Sequence, residues 1–416
     1  MSGLARNWAG NIAYGARRFH SPASRDELTE IVGNASAARV LGSRHSFSDI
    51  ADTDSDLIST QRLDRIIGID KAAGTVTIEG GVTYGQLCPA LAAEGLALAN
   101  LASLPHISVA GAVSTSTHGS GDRNGTLATS VRALETATAD GGIVRFSRGD
   151  ADFGGAVVSL GALGAIATIT LDVEPAYQVK QEVYLGLPFN ELVENFDALM
   201  GSAYSVSAFL SWRGGKVDQL WRKSRAGDPV FDPARYSARP ADRAYHPIAA
   251  LSAEPCTEQG GRLGPWHERL AHFRMGFTPS AGDELQSEYF VPRRHAAEAL
   301  LAVQAIQEDI APHLLISEIR TMKADELWLS QAYRQDCVGI HFTWKNDWPA
   351  VSAVLPKIEA QLAPFEPRPH WGKLFMMAPE AVRERYEKLD DFRKLARRLD
   401  PAGKFTNQYI RRTILN

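Results

Sequence analysis

The sequence predicts an α+β chain folded as two lobes, and three observations carry that prediction. At 416 residues the chain exceeds what one hydrophobic core ordinarily organises. Short alternating runs bounded by turn residues sit beside segments with helical apolar spacing. Beyond Tyr177 the texture changes, and aromatic and charged residues become denser, as in 209–212 and 220–223. We place the first lobe at residues 1–176 and the second at 177–375, and expect 376–416 to pack back onto the first.

The elements follow in order. Ser24-Arg25-Asp26-Glu27 is a capping box behind Pro22, and Leu28, Ile31 and Val32 continue at helical spacing, so a helix starts there. Ala38-Arg39-Val40-Leu41 is a short strand feeding a turn at Gly42. Residues 66–79 alternate around Lys71-Ala72-Ala73-Gly74, the pattern of a hairpin. Residues 83–95 read as a helix closed by Gly95. Residues 101–121 hold few charges and many of Ala, Ser, Thr and Gly, which makes weak regular structure but backbone that a ligand can approach closely. Residues 131–146 read as paired strands, 160–164 as a tight helical connection and 166–173 as a strand.

In the second lobe a loop rich in Pro, Arg and Asp spans 228–247. Leu285, Ser287, Tyr289 and Val291 alternate, Pro292 can start a helix, and 295–310 has helical apolar spacing. Residues 313–320 and 339–344 read as strands, giving a mixed or antiparallel sheet covered by helices. Near the end, Phe392, Leu395, Ala396 and Leu399 share one helical face.

Composition narrows the function. The balance of 44 Lys+Arg against 48 Asp+Glu, a formal charge of −4, disfavours a nucleic-acid or anionic-membrane surface. Residues 1–20 contain no apolar core of signal-peptide length, and no later run is long enough to span a bilayer. Cys88, Cys256 and Cys337 lie far apart without CxxC spacing, which points to neither a disulfide framework nor a zinc ribbon. We therefore expect a cytoplasmic protein with a small-molecule partner.

Several motifs fail. No GxGxxG opens a helix after a strand, no Walker loop occurs and no GxSxG elbow is present. His267-Glu268 with His272 nearly imitates a zinc-protease signature, but the second histidine falls roughly 140° round a helix from the first. No metal site is expected.

Three features remain. Gly42-Ser43-Arg44-His45-Ser46 puts an imidazole among small residues, where it can be a nucleophile toward a bound cofactor or simply a capping histidine. The run from Ser114 to Gly121 offers hydroxyl and backbone donors without an acid, as a diphosphate requires, although a polar surface loop has the same composition. Glu318 and Arg320 share one face of a strand, as do His341 and Thr343, and Lys373 adds a cation. If these strands are neighbours, the set suits a ligand rich in hydroxyls; otherwise it is an exposed sheet face laced with ion pairs.

Together these runs resemble the vanillyl-alcohol oxidase type of FAD enzyme, in the branch of alditol and sugar-lactone oxidases. The resemblance covers almost the whole chain: Gly42-Ser43-Arg44-His45-Ser46, the bed from Leu101 to Gly111 and from Thr117 to Gly121, Glu318-Ile319-Arg320, His341-Phe342-Thr343-Trp344, His370-Trp371-Gly372-Lys373, and the closing run from Asp400 to Asn407. It implies a two-lobed FAD-binding PCMH-type fold, with FAD held by one 8α-histidyl bond to His45; no cysteine lies between Leu101 and Gly121 to make a second bond.

The implied cofactor contacts are Leu41, Gly42, Ser43, Arg44, His45 and Ser46 in the turn, Ser103, Ser108, Gly111, Ser114, Thr115, Thr117 and His118 in the bed, then Ile166 and His370. Arg44 stands where close relatives often carry a smaller residue. The implied substrate contacts are Ser103, Glu318, Arg320, Thr343 and Lys373, with Arg320 and Lys373 at the reacting hydroxyl and His341 a candidate for handling the proton. The implied reaction oxidises the terminal alcohol of xylitol or sorbitol, with O2 as acceptor and hydrogen peroxide as product, in a monomer. The alternatives are an aldonolactone oxidoreductase of the same fold and a non-catalytic sugar-binding protein.

Overall fold

In the computed structural model, which describes residues 6–277 and 282–416, the local signals of the amino-terminal part become real elements. Residues 1–5 of the segment read for a signal peptide lie outside the described residues. Ser24 Oγ accepts the Glu27 N–H, and the helix Arg25–Asn34 that it caps buries Leu28 and Val32. The strand Ala38–Leu41 pairs in parallel with Asp56–Ser59, which also pairs with Arg18–His20. The hairpin 66–79 forms around Gly74 at φ +64°. It extends into a five-stranded antiparallel sheet in the order Ile66–Asp70, Thr75–Glu79, Ala165–Asp172, Val131–Ala137, Ile143–Ser147. Thr83 and Gln86 complete a capping box for the helix Tyr84–Ala93.

One expectation fails here. Residues 160–164 are not a helical connection, because Leu160, Gly161 and Gly164 take φ of +54°, +67° and +139°. The two glycines permit what their side-chain-bearing neighbours resist. A Cβ at Gly164 would sit 2.3 Å from the Ala137 carbonyl oxygen, so the segment turns tightly against the neighbouring strand.

Beyond Tyr177 the chain builds a nine-stranded sheet. Its central order is Gln178–Leu185, Gln219–Arg225, Ser205–Leu210, Leu314–Met322, Cys337–Lys345, Glu284–Pro292, and these pairings are antiparallel. The helices Phe189–Glu194, Ala296–Gln304 and Trp348–Leu362 join Ile319, Ile340, Phe342 and Trp344 in one core. The helix expected over 295–310 breaks. Ile306 bonds back only three residues, to the Val303 carbonyl, at φ −111°, and a separate turn Gln307–Ile310 follows.

The carboxy-terminal run closes onto the first core, where Tyr409, Ile410 and Ile414 are buried with Val76, Leu134 and Ile169. Trp266, Leu329 and Trp371 enter that core too, from segments that the sequence assigns to the second lobe.

Arg39 ties these segments together. It is 2% exposed, and its guanidinium donates to the carbonyls of Ile50, Leu160, Gly161 and Phe405. One side chain thereby fixes the strand leading into the Gly42 turn, the 160–164 turn and the carboxy-terminal run. Arg39→Met strands these carbonyls in the interior, and we expect a loss of about 3 kcal/mol or more, read as a lowered denaturant midpoint.

Candidate active site

Every residue singled out for cofactor or substrate lines one cleft. Leu41, Gly42, Ser43, Arg44, His45 and Ser46 form part of its wall, where the strand Ala38–Leu41 ends. Ser108, Gly111, Ser114, Thr115, Thr117 and Ile166 continue that wall. Ser103, Glu318, Arg320, His341, Thr343 and Lys373 supply the floor, with His118 and His370 beside them.

The wall leaves polar atoms waiting for a ligand. Both ring nitrogens of His45 are buried without a hydrogen-bond partner, and so is Ser108 Oγ. Orphaned polar atoms of this kind cost stability and are rare without a purpose. The small residues are needed as well: a Cβ at Gly42 would lie 2.4 Å from Ser108 Oγ. Ser43 Oγ accepts the Ser108 N–H at 3.0 Å, locking turn to bed. Arg44 adopts φ +64°, strained for a residue with a Cβ, and its guanidinium reaches the Arg6 carbonyl at 3.5 Å. Burial pushes the His45 imidazole down to about 4, so the ring is neutral at ordinary pH. A neutral imidazole beside small-residue backbone and hydroxyls fits FAD.

The floor is a matter of strand register. Glu288 and Glu318 each stand opposite His341, and Gln286 stands opposite Thr343. A slip of one residue would turn these side chains into the helix-covered face. Glu318, Arg320, His341 and Thr343 are all buried, which overturns the reading of an exposed, ion-paired sheet face.

Within the floor, Lys373 Nζ donates to Glu288 Oε2 at 2.6 Å and to His341 Nδ1 at 2.8 Å, and His341 Nε2 lies 3.0 Å from Thr343 Oγ1. Burial and the adjacent Lys373 hold His341 down at about 4. Arg320 donates to Ser103 Oγ at 3.3 Å. Burial alone would raise the Glu318 carboxyl, but Arg320 and His272 outweigh it and keep the group ionised.

Three residues of this floor escaped the sequence reading. Glu288 has a fully buried carboxylate that meets Lys373, His118 Nε2 at 3.0 Å and Arg320 at 3.6 Å. His272 Nε2 lies 2.7 Å from Glu318 Oε1, and Lys223 Nζ meets His272 Nδ1 at 3.0 Å. Burial lowers Lys223 to about 7 and His272 to about 4. His272 drew attention in the sequence only as a failed metal ligand, on a helix that does not form; the structure has a short turn at Trp266–Glu268. Because Oε1 of Glu318 is occupied by His272 and Arg320, Oε2 is left for a ligand.

Among the described residues, His118, Glu288 and His370 also bring three possible metal-ligand atoms within 4.8 Å of one another. Lys373 and Arg320 already claim that carboxylate, and their charge opposes a third cation there.

Known proteins resemble this chain over almost its whole length. Residues 16–147 match the family model of an FAD binding domain, and residues 283–413 match that of D-arabinono-1,4-lactone oxidase. The chain is 49% identical over 414 residues to an alditol oxidase of a Streptomyces species (strain IKD472), covering 99% of each. The chain belongs to the alditol oxidase family. It is thereby an FAD-dependent oxidoreductase of the vanillyl-alcohol oxidase type, and the non-catalytic reading falls away. A more distant relative is an L-gulono-1,4-lactone dehydrogenase of Mycobacterium tuberculosis, 28% identical with 100% of each chain covered. Cholesterol oxidase from B. sterolicum shares the fold of this family member at a TM-score of 0.80 and 15% identity, covering 98% of this chain and 96% of that one.

The neutral imidazoles of the floor make the site acid-sensitive. His272 and His341 bind a proton more weakly when folded, at about 4, than at their ordinary 6.5, and burial lowers His118 and His370 in the same sense. Their stabilisation is therefore complete above pH 6.5 and lost as pH falls toward 4. Asp325, raised by burial to about 6, and Glu359, also raised by burial, work in the opposite sense but are outnumbered by the histidines. We expect the melting temperature to fall steadily from pH 7 to 4.5, and the slope to be shallower in His272→Gln.

Proposed function

We propose that this protein oxidises the terminal primary alcohol of alditols such as xylitol and sorbitol to the aldose. The observation that carries the reading is the buried floor, where two cations, a free carboxylate oxygen and hydroxyl groups converge on one cleft with the histidine turn. In the same reading residues 1–176, closed by 376–416, hold FAD through one covalent bond to His45, and residues 177–375 cover the substrate. FAD, when bound, supplies acceptance of the hydride and delivery of the electrons to O2.

The residues divide the remaining work. Arg320 and Lys373 stabilise the alkoxide that develops as the reacting hydroxyl loses its proton, and a buried site strengthens both interactions. Ser103, Glu318 Oε2 and Thr343 orient the rest of the polyol. His341 handles a proton only through Lys373, because its Nδ1 lone pair faces the ammonium and its Nε2 proton is committed to Thr343. Lys223 and His272 aim Glu318 from behind. Three buried, unpaired thiols support work in a reducing cytoplasm, and no described helix is long and apolar enough to cross a membrane.

The match to a lactone-oxidase model over 283–413 keeps an aldonolactone substrate as the second reading. Steady-state rates on xylitol against an aldonolactone separate the two, and faster lactone turnover overturns the alditol assignment. Glu318→Ala leaves Arg320 and His272 without their carboxylate, so kcat/KM for xylitol should drop at least about a hundredfold. The flavin should stay attached. Turnover near that of the parent protein would sink the role given to Glu318. Acid precipitation tests the tether, since a yellow pellet is expected and a colourless one removes His45 from that role.

A further inference from the structure

His45 has no hydrogen-bond partner of its own, yet its ring is held. Trp8 stacks on the imidazole with centroids 5.5 Å apart and planes 19° from parallel, an offset-stacked geometry. The segment carrying Trp8 also grips the peptide on both sides of His45. Trp8 N–H donates to the Arg44 carbonyl at 2.8 Å, Asn7 Nδ2 to the Ser46 carbonyl at 2.9 Å, and Asn11 Nδ2 to the Phe47 carbonyl at 2.9 Å. From the other side Phe47 N–H donates to the Gly372 carbonyl at 2.7 Å.

The backbone of the turn is thus fixed by hydrogen bonds, and the indole face restrains the plane of the ring. This division makes chemical sense. A side chain that fixed the ring by a hydrogen bond would occupy one of its two nitrogens and dictate which one is left to bond carbon. An aromatic face restrains the ring plane and leaves both nitrogens open.

We propose that Trp8 is a positioning residue for covalent attachment of FAD to His45, an inference that rests on the reading of His45 as the tether. Attachment joins an imidazole nitrogen of His45 to the 8α carbon of FAD. The imidazole N–H and one C–H of the 8α methyl group break, releasing two protons and two electrons. The isoalloxazine takes these up and passes them to O2, giving hydrogen peroxide. The step needs a neutral, correctly aimed nucleophile. Burial keeps the ring neutral, and stacking on Trp8 supplies the aim.

The experiment compares the full-length parent protein with Trp8→Phe, which keeps a ring face, and Trp8→Leu, which keeps apolar bulk without one. Each is purified with its flavin and incubated in air with added FAD. Total bound flavin is read from absorbance, and the acid-stable share from precipitated protein at intervals. We expect Trp8→Leu to bind FAD but to form the acid-stable bond at least about tenfold more slowly, and Trp8→Phe to stay near the parent rate. A Trp8→Leu protein that attaches FAD as fast as the parent overturns the role of Trp8 and leaves the tether intact. Total flavin and acid-stable share falling together in both variants overturns it as well, since that marks a merely structural tryptophan. A colourless parent pellet overturns the tether itself, and Trp8 with it.

Discussion

A carboxylate with no access to water sets the terms for this cleft. Glu288 sits midway along the strand Glu284–Pro292, and burying its charge without cations would cost several kcal/mol. The chain answers with Lys373 from the His370 turn, Arg320 from the strand two places away, and His118 from the 101–121 bed. Each partner comes from a different part of the sequence. Satisfying Glu288 therefore brings bed, floor and turn to one point, and the acid holds the cations where a hydroxyl could meet them.

The same logic repeats one strand pair further on. Lys223 and His272 back Glu318 much as Lys373 and His341 are held beside Glu288, so two buried lysines each face an imidazole nitrogen. Each ammonium saturates one ring nitrogen, which leaves the other to donate, to Glu318 in one case and to Thr343 in the other. The outcome is a floor with fixed tautomers and few mobile protons. Against it stands a wall of deliberately unsatisfied atoms, His45 and Ser108. The floor is tied into a network that keeps Arg320 Nε and Glu318 Oε2 open, whereas the wall offers the His45 nitrogens and Ser108 Oγ with no hydrogen-bond partner at all.

Strain collects on the wall side. Arg44 and Leu160, both non-glycine residues at positive φ, border the cleft, and each is held by contacts from distant segments. Arg39 draws the Leu160 carbonyl inward, and Trp8 N–H holds the carbonyl of Arg44. Left-handed geometry at such residues persists only where surrounding structure over-determines it.

Local chemistry made much of this legible in the sequence. The Ser24 cap, the Gly74 hairpin, the Thr83 helix and the alternation along 285–291 each depend on neighbours within a few residues. The motif runs from Gly42 to Lys373 likewise pointed to the residues that now line the cleft. Period-two spacing could place Glu318 with Arg320 and His341 with Thr343, but it cannot say which strands pair or what covers their face. Glu288 and Lys223 were invisible because a lone acid or lysine in a strand reads as solvated, and burial is decided by segments such as Ser103, which lies 217 residues from Arg320. The 160–164 turn misled because its shape is set by Ala137 and Arg39 packed against it, which lie far off in the chain. The sequence by itself determined which chemical groups this protein has and which of them are local neighbours. Only the tertiary structure decided which charges are buried together, because desolvation and register depend on contacts that no short stretch of chain contains.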